Sequence, residues 1–353
     1  MTDPAAAEEV LVRREGRLGR LTLNRPQALG ALTTGMCEAM IAALVAWRED
    51  DRVLSVLIDH AGERGFSAGG DIRTLAESAQ GDAVENHRFF YIEYQLDHLI
   101  FTYPKPVVTV MDGVTMGGGV GISWTATHRI ATERTTFAMP ETGIGLFPDV
   151  GGGWFLPRLP GAAGLWIALT GARLKAADAI AFGVASHFVP AAELAAFKRA
   201  LAEGSDNAAL ARYAADPGAP LHHPLLEDIN RLFDHAAVED VLSALRAEAS
   251  EWALAQRATI LTKSPTSLKV ARRQLALGAE AESFADVMRM EYRIAHRVAI
   301  GHDFLEGVRA VIIDKDGAPK WSPDTLEGVT EAMLDAIFAP LPDDQEWSPL
   351  PDA

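Results

Sequence analysis

The sequence predicts an α/β fold, and three observations carry that expectation. Short β-branched runs alternate with amphipathic stretches through the first half of the chain, glycine-rich turns follow two of those runs, and past about Phe188 the texture changes to long Ala-, Leu- and Glu-rich segments. Taken in order, "VLVRREGRLGRLTLN" reads as two strands joined by a glycine-containing turn, and "TTGMCEAMIAALVAW" has helical apolar spacing. "VLSVLIDH" and "KPVVTVMDG" are runs of strand length, separated by an aromatic, amphipathic segment from Ala83 to Phe101. The later segments "AAELAAFKRALAEG", "AVEDVLSALRAEASEWALAQRATIL" and "SFADVMRMEYRIAHRVAI" read as helices punctuated by "DPGAPLHHP" and "KSPTS". The tail from Pro340 is proline-rich and acidic and reads as irregular. The expected organisation is a strand-bearing core over 1–190 that carries the site, a mostly helical region over 191–339 and an irregular tail over 340–353.

Composition narrows the function. A chain of 353 residues with 48% hydrophobic content can bury a sizeable core. A formal net charge of -16 argues against non-specific attraction to nucleic acid or to an anionic membrane, so an anionic ligand would have to be held locally. The lone cysteine, Cys37, has no partner for an intramolecular disulfide, and no Cys/His cluster has zinc-ligand spacing. Both suit a reducing compartment, and the expectation is a cytoplasmic protein. The N-terminus "MTDPAAAEEV" lacks a basic segment followed by an apolar one, and charges interrupt every apolar stretch before about 18 residues, so neither signal peptide nor membrane span is expected.

The glycine clusters are "GERGFSAGGD", after the run ending near His60, and "DGVTMGGGVG", after the run ending near Met111. Glycine lets a ligand approach backbone N–H groups, and two such turns could supply the two donors of an oxyanion hole; equally, each is an ordinary turn after a strand. Neither fits G-x-G-x-x-G, and no G-x-x-x-x-G-K-[ST] occurs, which removes the main support for nucleotide-binding readings. "GFSAG" satisfies G-x-S-x-G with Ser67 in the nucleophile position, and His187 can be nominated as its base. That elbow needs a strand running straight into the serine, whereas "HAGERG" intervenes here. Ser67 is therefore expected to be a small turn residue and His187 a hydrogen-bonded core residue.

A third segment, "FAMPETGIGLFPDVGGGWFLPRLPG", places Glu141 and Asp149 among apolar residues, glycine and proline. A carboxyl group in such surroundings has a raised pKa unless donors compensate, which suits acid/base work, and two differently solvated acids can divide roles. Spacing alone favours a helix cap for Asp149 and leaves Glu141 open between a cap and a reactive acid.

"GFSAGGDIRTL", "MDGVTMGGGVGIS", "FAMPETGIGLFPDVGGGWFLPRLPG", "TGARLKAADAIAFGVASHFV", "SPTSLKVARRQL" and "GHDFLEGVRAVIIDKDGAPKW" closely resemble the 3-hydroxyisobutyryl-CoA hydrolase branch of the crotonase (enoyl-CoA hydratase/isomerase) superfamily, from about Val10 to Trp321. The resemblance implies a spiral core of ββα units followed by a helical C-terminal region that helps cover the active site and mediates assembly, commonly as trimers or pairs of trimers. It assigns the Ala68 and Gly118 N–H groups to the oxyanion hole, Glu141 and Asp149 to catalysis, and Glu93 with Gly69, Gly70 and Asp71 to substrate binding. It implies an acyl-CoA substrate and no metal or redox cofactor.

Two departures matter. Hydratases of this superfamily carry a first glutamate two residues after the triple glycine, where this chain has Gly121, and the early "NRPxxxNAL" pattern reads "NRPQALGAL" here, with Gly30 in place of asparagine. The expected reaction is hydrolysis of 3-hydroxyisobutyryl-CoA to the free acid and CoA, a step of valine breakdown. Glu141 would act as general base or nucleophile and Asp149 would orient the substrate hydroxyl or water. The alternatives are an enoyl-CoA hydratase or isomerase acting through Glu141 alone, and a catalytically idle acyl-CoA-binding protein. Arg25, Arg64 and Lys269 are the candidate partners of the CoA phosphates.

Overall fold

In the computed structural model, which describes residues 9–351, a turn at Gly16 folds the first strand back on the second. The reading of the extreme N-terminus lies outside the described residues. Strand β1 (Val10–Glu15) pairs antiparallel with β2 (Leu18–Leu23), and β2 runs parallel to β3 (Ser55–His60). Further parallel pairings add β5 (Val107–Met111), β7 (His128–Ala131) and β9 (His187–Phe188), giving a six-stranded sheet of order β1-β2-β3-β5-β7-β9. The strands between them, β4 (Gly65–Ser67), β6 (Val114–Met116) and β8 (Thr136–Ala138), form a second, three-stranded parallel sheet.

The chain therefore repeats one operation: a strand in the large sheet, a strand in the small sheet, then a turn into a helix. β3 and β4 lead to the helix Ile72–Ala79, β5 and β6 lead to the helix Gly118–Trp124, and β7 and β8 lead to the short 3-10 turn Glu141–Ile144. Because β4, β6 and β8 are parallel neighbours in that order, the turns that follow them lie side by side. This is the ββα spiral that the resemblance implies.

The helices of this half are α1 (Thr34–Arg48), α2 (Ile72–Ala79), α3 (Val84–Phe101), α4 (Gly118–Trp124), α5 (Gly152–Phe155), α6 (Ala163–Thr170) and α7 (Ala176–Ala181). Thr33 caps α1 by accepting from the Met36 N–H. Helix α3 differs from its sequence reading. It is buried along most of its length and carries polar residues inward, among them Asn86, Glu93 and Asp97.

After β9 the described chain is helical: α8 (Leu194–Glu203), α9 (Asp206–Tyr213), α10 (Leu226–Phe233), α11 (Val238–Glu248), α12 (Glu251–Ile260), α13 (Pro265–Glu280), α14 (Phe284–Val298), α15 (His302–Val308) and α16 (Glu331–Phe338). The single stretch read from Ala237 to Leu261 is two helices, because Ala249 turns left-handed (φ 54) and Ser250 restarts the helix as an N-cap on Ala253. Helices α8 and α9 close one face of the large sheet, with Phe197, Leu201 and Leu210 against Leu18, Leu57, Val108 and Ile130. The tail from Pro340 has no helix or strand but is docked: Trp347 is buried and donates to the Tyr91 carbonyl at 3.1 Å, and Glu346 pairs with Arg293 at 2.8 Å. No helix among the described residues is long and apolar enough to cross a membrane.

Candidate active site

The three turns after β4, β6 and β8 meet at a cavity of about 450 Å³. Ala68, Gly69 and Gly70 line it from the first turn, Gly117 and Gly118 from the second, and Pro140 and Glu141 from the third. Glu93, Phe89 and Phe90 reach it from α3, Asp149 from the loop before α5, and Lys263, Val311 and Ile312 from the C-terminal helical region. Of the residues that the resemblance assigned to the oxyanion hole, catalysis and substrate binding, all but one are thus in a single wall. Asp71 stands outside it. Its carboxylate caps α2 on Thr74 and pairs with Arg25 at 3.1 Å, so it serves the turn and not the cavity surface.

Backbone approach explains the glycines. Gly69 has φ 103, and a Cβ there would meet the Gly118 nitrogen at 3.3 Å. The two turns therefore pack backbone to backbone. One assignment changes: the Ala68 N–H already donates to the Leu29 carbonyl at 2.9 Å. Among the described residues the Gly70 N–H has no partner, and neither has the Gly118 N–H at the first position of α4. The free pair of donors flanking the cavity is thus Gly70 and Gly118. The sequence motif points to this turn, and the Leu29 carbonyl, remote in sequence, takes the Ala68 N–H and leaves that of Gly70.

The acids are buried. Glu141 opens the 3-10 turn, 4% exposed, with Oε2 unpartnered. Burial holds its pKa well above the ordinary range, and Asp149 adds to this; the Gly117 N–H and the Lys263 ammonium act in the opposite direction. Burial likewise pushes Asp149 up to about 7, opposed by the Tyr94 hydroxyl, which donates to Oδ2 at 2.8 Å. Asp149 caps no helix here. The N-cap of α5 is Gly151, and the amides that a cap would serve go to Glu291 instead.

Glu93 and Asp97 lie one turn apart on α3, fully out of solvent, with pKa values raised first by burial and then by the neighbouring acids. Among the described residues, Glu93 Oε1 and both Asp97 oxygens have no hydrogen-bond partner. Glu93, Asp97, Glu141 and Glu291 all feel the charge of Asp149, and five buried carboxyl groups so placed cannot all ionise, so they titrate as a set. Asp97 also explains Gly121: a Cβ at position 121 would lie 2.7 Å from Asp97 Oδ2 and 2.7 Å from Val150 Cβ. The site where hydratases carry a glutamate has no room here for any side chain. Gly30, the other departure, has φ 64, and a Cβ there would run into the Phe66 carbonyl oxygen, so the turn in this chain packs more closely than asparagine would allow.

Ser67 is wholly buried, and its hydroxyl donates to the Gly30 carbonyl at 2.8 Å. His187 contacts Ser186 at 2.9 Å. The chain after Ser67 runs through Ala68, Gly69 and Gly70 before α2 begins, so it does not form a nucleophile elbow. Of the candidate phosphate partners, Arg25 is engaged by Glu9 and Asp71, Lys269 pairs with Glu239 in a different cavity, and Arg64 is exposed. The cations that do line the site are Lys263 and Arg173. Sequence reading missed these two, along with Tyr94, Asp97 and Glu291. A signal existed for α3, since "YIEYQLDH" sets Glu93, Tyr94 and Asp97 on one side of a helix flanked by aromatic residues.

Residues 18–338 match the family model described as enoyl-CoA hydratase/isomerase. The chain is 46% identical to a 3-hydroxyisobutyryl-CoA hydrolase, mitochondrial, of Danio rerio over 97% of its own length and 92% of that protein. It is 42% identical to the Homo sapiens protein of the same name, over 95% and 90%. Among solved structures it is similar to a carnitinyl-CoA dehydratase from Mycobacterium thermoresistibile, with a TM-score of 0.93 at 43% identity over 97% of this chain and 98% of that one. An enoyl-CoA hydratase from Rhodobacter sphaeroides 2.4.1 gives a TM-score of 0.89 at 39% identity over 96% and 99%. The mitochondrial relatives overturn the cytoplasmic expectation. That expectation rested largely on one cysteine, and a lone buried thiol is compatible with any reducing compartment.

Proposed function

The chain belongs to the enoyl-CoA hydratase/isomerase family, and on that premise we propose that it hydrolyses the thioester of 3-hydroxyisobutyryl-CoA, a short branched 3-hydroxyacyl-CoA, to the free acid and CoA. The named relatives divide between hydrolysis and hydration chemistry. The observation that carries the choice is the closure of position 121 by Asp97 and Val150, together with Asp149 lining the cavity beside Glu141. Hydration by two glutamates needs an acid at 121; hydrolysis needs a polarised carbonyl and one acid able to act on it.

In this reading the thioester oxygen lies between the Gly70 and Gly118 N–H groups, which stabilise the oxyanion as it develops, an effect typically worth about 10²–10³ in rate per donor. Glu141 acts on the acyl carbon, directly or through a water whose proton it takes. Asp149, held by Tyr94, orients the hydroxyl of the substrate or the water and helps move protons. Glu93 stands against Gly118, where its raised pKa favours a neutral carboxyl that does not oppose the oxyanion.

The test compares two acyl-CoAs. Thiol release from 3-hydroxyisobutyryl-CoA should exceed hydration of crotonyl-CoA at least about tenfold in kcat/KM, a margin of about 1.4 kcal/mol. Rapid loss of crotonyl absorbance with no thiol released from the hydroxyacyl substrate would replace this reading with the hydratase one. Absence of turnover on both would favour an idle acyl-CoA-binding protein.

A further inference from the structure

We propose that Glu291, with Gln274, is a positioning residue for Asp149: from the C-terminal helices it clamps the backbone on both sides of that acid and so sets where its carboxylate points. The proposal rests on Asp149 taking part in the reaction proposed above.

Glu291 lies in α14, 140 residues from Gly151 along the chain, and has no exposed surface. Its two oxygens are taken by main-chain N–H groups of one turn: Oε2 accepts from Gly151 at 2.8 Å and Oε1 from Gly153 at 2.7 Å. Gln274 Nε2, on α13, donates to the same Oε1 at 2.9 Å and to the Pro148 carbonyl at 2.7 Å. Residues 148, 151 and 153 are thereby tied to two distant helices, and Asp149 lies between the first two tie points.

The conformation held this way would not persist on local preference. Val150 sits at φ 51 and Gly151 at φ 88, and a β-branched residue is strongly disfavoured in the left-handed region. Such strain persists only where surroundings over-determine it. Gly153 is needed for the same reason, since a Cβ there would stand 3.0 Å from Glu291 Oε1 and crowd the carboxylate from the amides. If the turn relaxed, Val150 would swing to negative φ and carry the adjacent Asp149 away from Tyr94 and Glu141. Displacements of about 1 Å at a reacting group can cost about 10²-fold in rate. The helical region thus reaches into the chemistry through a backbone turn, with no contact to substrate.

The experiment is a double-mutant cycle read together with amide hydrogen exchange. Glu291→Gln keeps the shape but leaves a single acceptor oxygen. We expect it to lower kcat about 10- to 100-fold at unchanged KM in the otherwise wild-type protein, and less than about 3-fold in an Asp149→Asn background, since it acts through Asp149. Exchange at Gly151 and Gly153 should quicken while exchange in β3 and β5 stays as it was. Gln274→Met, which releases only the Pro148 carbonyl and one bond to Glu291, should show the same pattern more weakly and serves if the first variant does not fold. Equal kinetic losses in both backgrounds, no loss of kcat, or unaltered exchange at the two glycines would each overturn the proposal. The kinetic arm uses whichever acyl-CoA the wild-type protein turns over, and the exchange arm needs no substrate, so failure of the hydrolase reading is distinguishable from failure of the clamp.

Discussion

Tyr94 donates its phenolic hydrogen to Asp149 Oδ2 across 2.8 Å, with both side chains out of solvent. Donation to a carboxylate favours its charged form and so works against the burial that pushes Asp149 up to about 7. Tyr94→Phe removes the opposing effect and keeps the burial, so the Asp149 pKa rises further. Among the described residues the acids that interact with it are Glu93 and Asp97 on α3, Glu141, and Glu291 on α14, none of which compensates; Lys263 and Arg173 line the same cavity, where Lys263 acts on Glu141. We expect the acid limb of kcat/KM to move to higher pH in Tyr94→Phe, with activity lost more below neutrality than above it. A uniform drop with an unmoved limb would reduce Tyr94 to a packing role.

Glu141→Gln should lower kcat by about 10²–10⁴, the range for loss of a general acid or base. The fold should not suffer, because Oε2 has no partner to lose and a buried carboxyl of raised pKa is no asset to stability. Asp149→Asn should likewise lose turnover while its amide oxygen still accepts from Tyr94. Parallel measurement of kcat and Tm separates the two roles: loss of Tm alone, at full turnover, would make these acids structural.

The three-residue strands β4 and β6 read only as parts of glycine-rich turns, and the ββα spiral came from the resemblance, but the α/β class was legible in the residues because β3 and β5 are short β-branched runs soon followed by glycine. The turns were legible for the same reason, since only glycine fits where Gly69 packs on Gly118. What stayed hidden was set by neighbours remote in sequence. The carbonyl of Leu29 takes the Ala68 N–H and thereby shifts the free donor to Gly70. Glu291 occupies the amides that Asp149 was expected to cap. Lys263 enters the wall because the Ser264 N–H binds the Thr142 carbonyl at 3.0 Å and brings the start of α13 beside the Glu141 turn. No local pattern encodes such pairings.

Ser67→Ala should retain most turnover. The hydroxyl donates to the Gly30 carbonyl and accepts from the Gly69 N–H at 3.3 Å, so its removal leaves two backbone groups short of a bond and costs about 1–3 kcal/mol of stability, while the Gly70 and Gly118 N–H groups make no bond to it. A serine-directed phosphonate should not label the protein. Covalent labelling at Ser67, or inactivation of a folded variant, would revive the serine-hydrolase reading.

The last prediction concerns the position that separates this chain from the hydratases. Adding a Cβ at Gly121 drives it to 2.7 Å from both Asp97 Oδ2 and Val150 Cβ, so Gly121→Ala should cost about 1–3 kcal/mol by overpacking. Asp97→Ala alone should cost little or stabilise, because it removes a buried carboxyl whose two oxygens have no partner. The two changes share part of their space, so they should not add: Asp97→Ala should recover part of the Tm lost in Gly121→Ala, the contact with Val150 Cβ remaining. The same crowding bears on function. Gly121→Glu restores the acid that hydratases carry there, yet with Asp97 present its side chain has no path into the cavity, and crotonyl-CoA hydration should not rise. Trimming both Asp97 and Val150 to alanine or glycine is needed to open volume for it. A stable Gly121→Glu protein that gains hydratase activity with Asp97 intact would show that position 121 is open, and the physical basis for preferring hydrolysis would be gone.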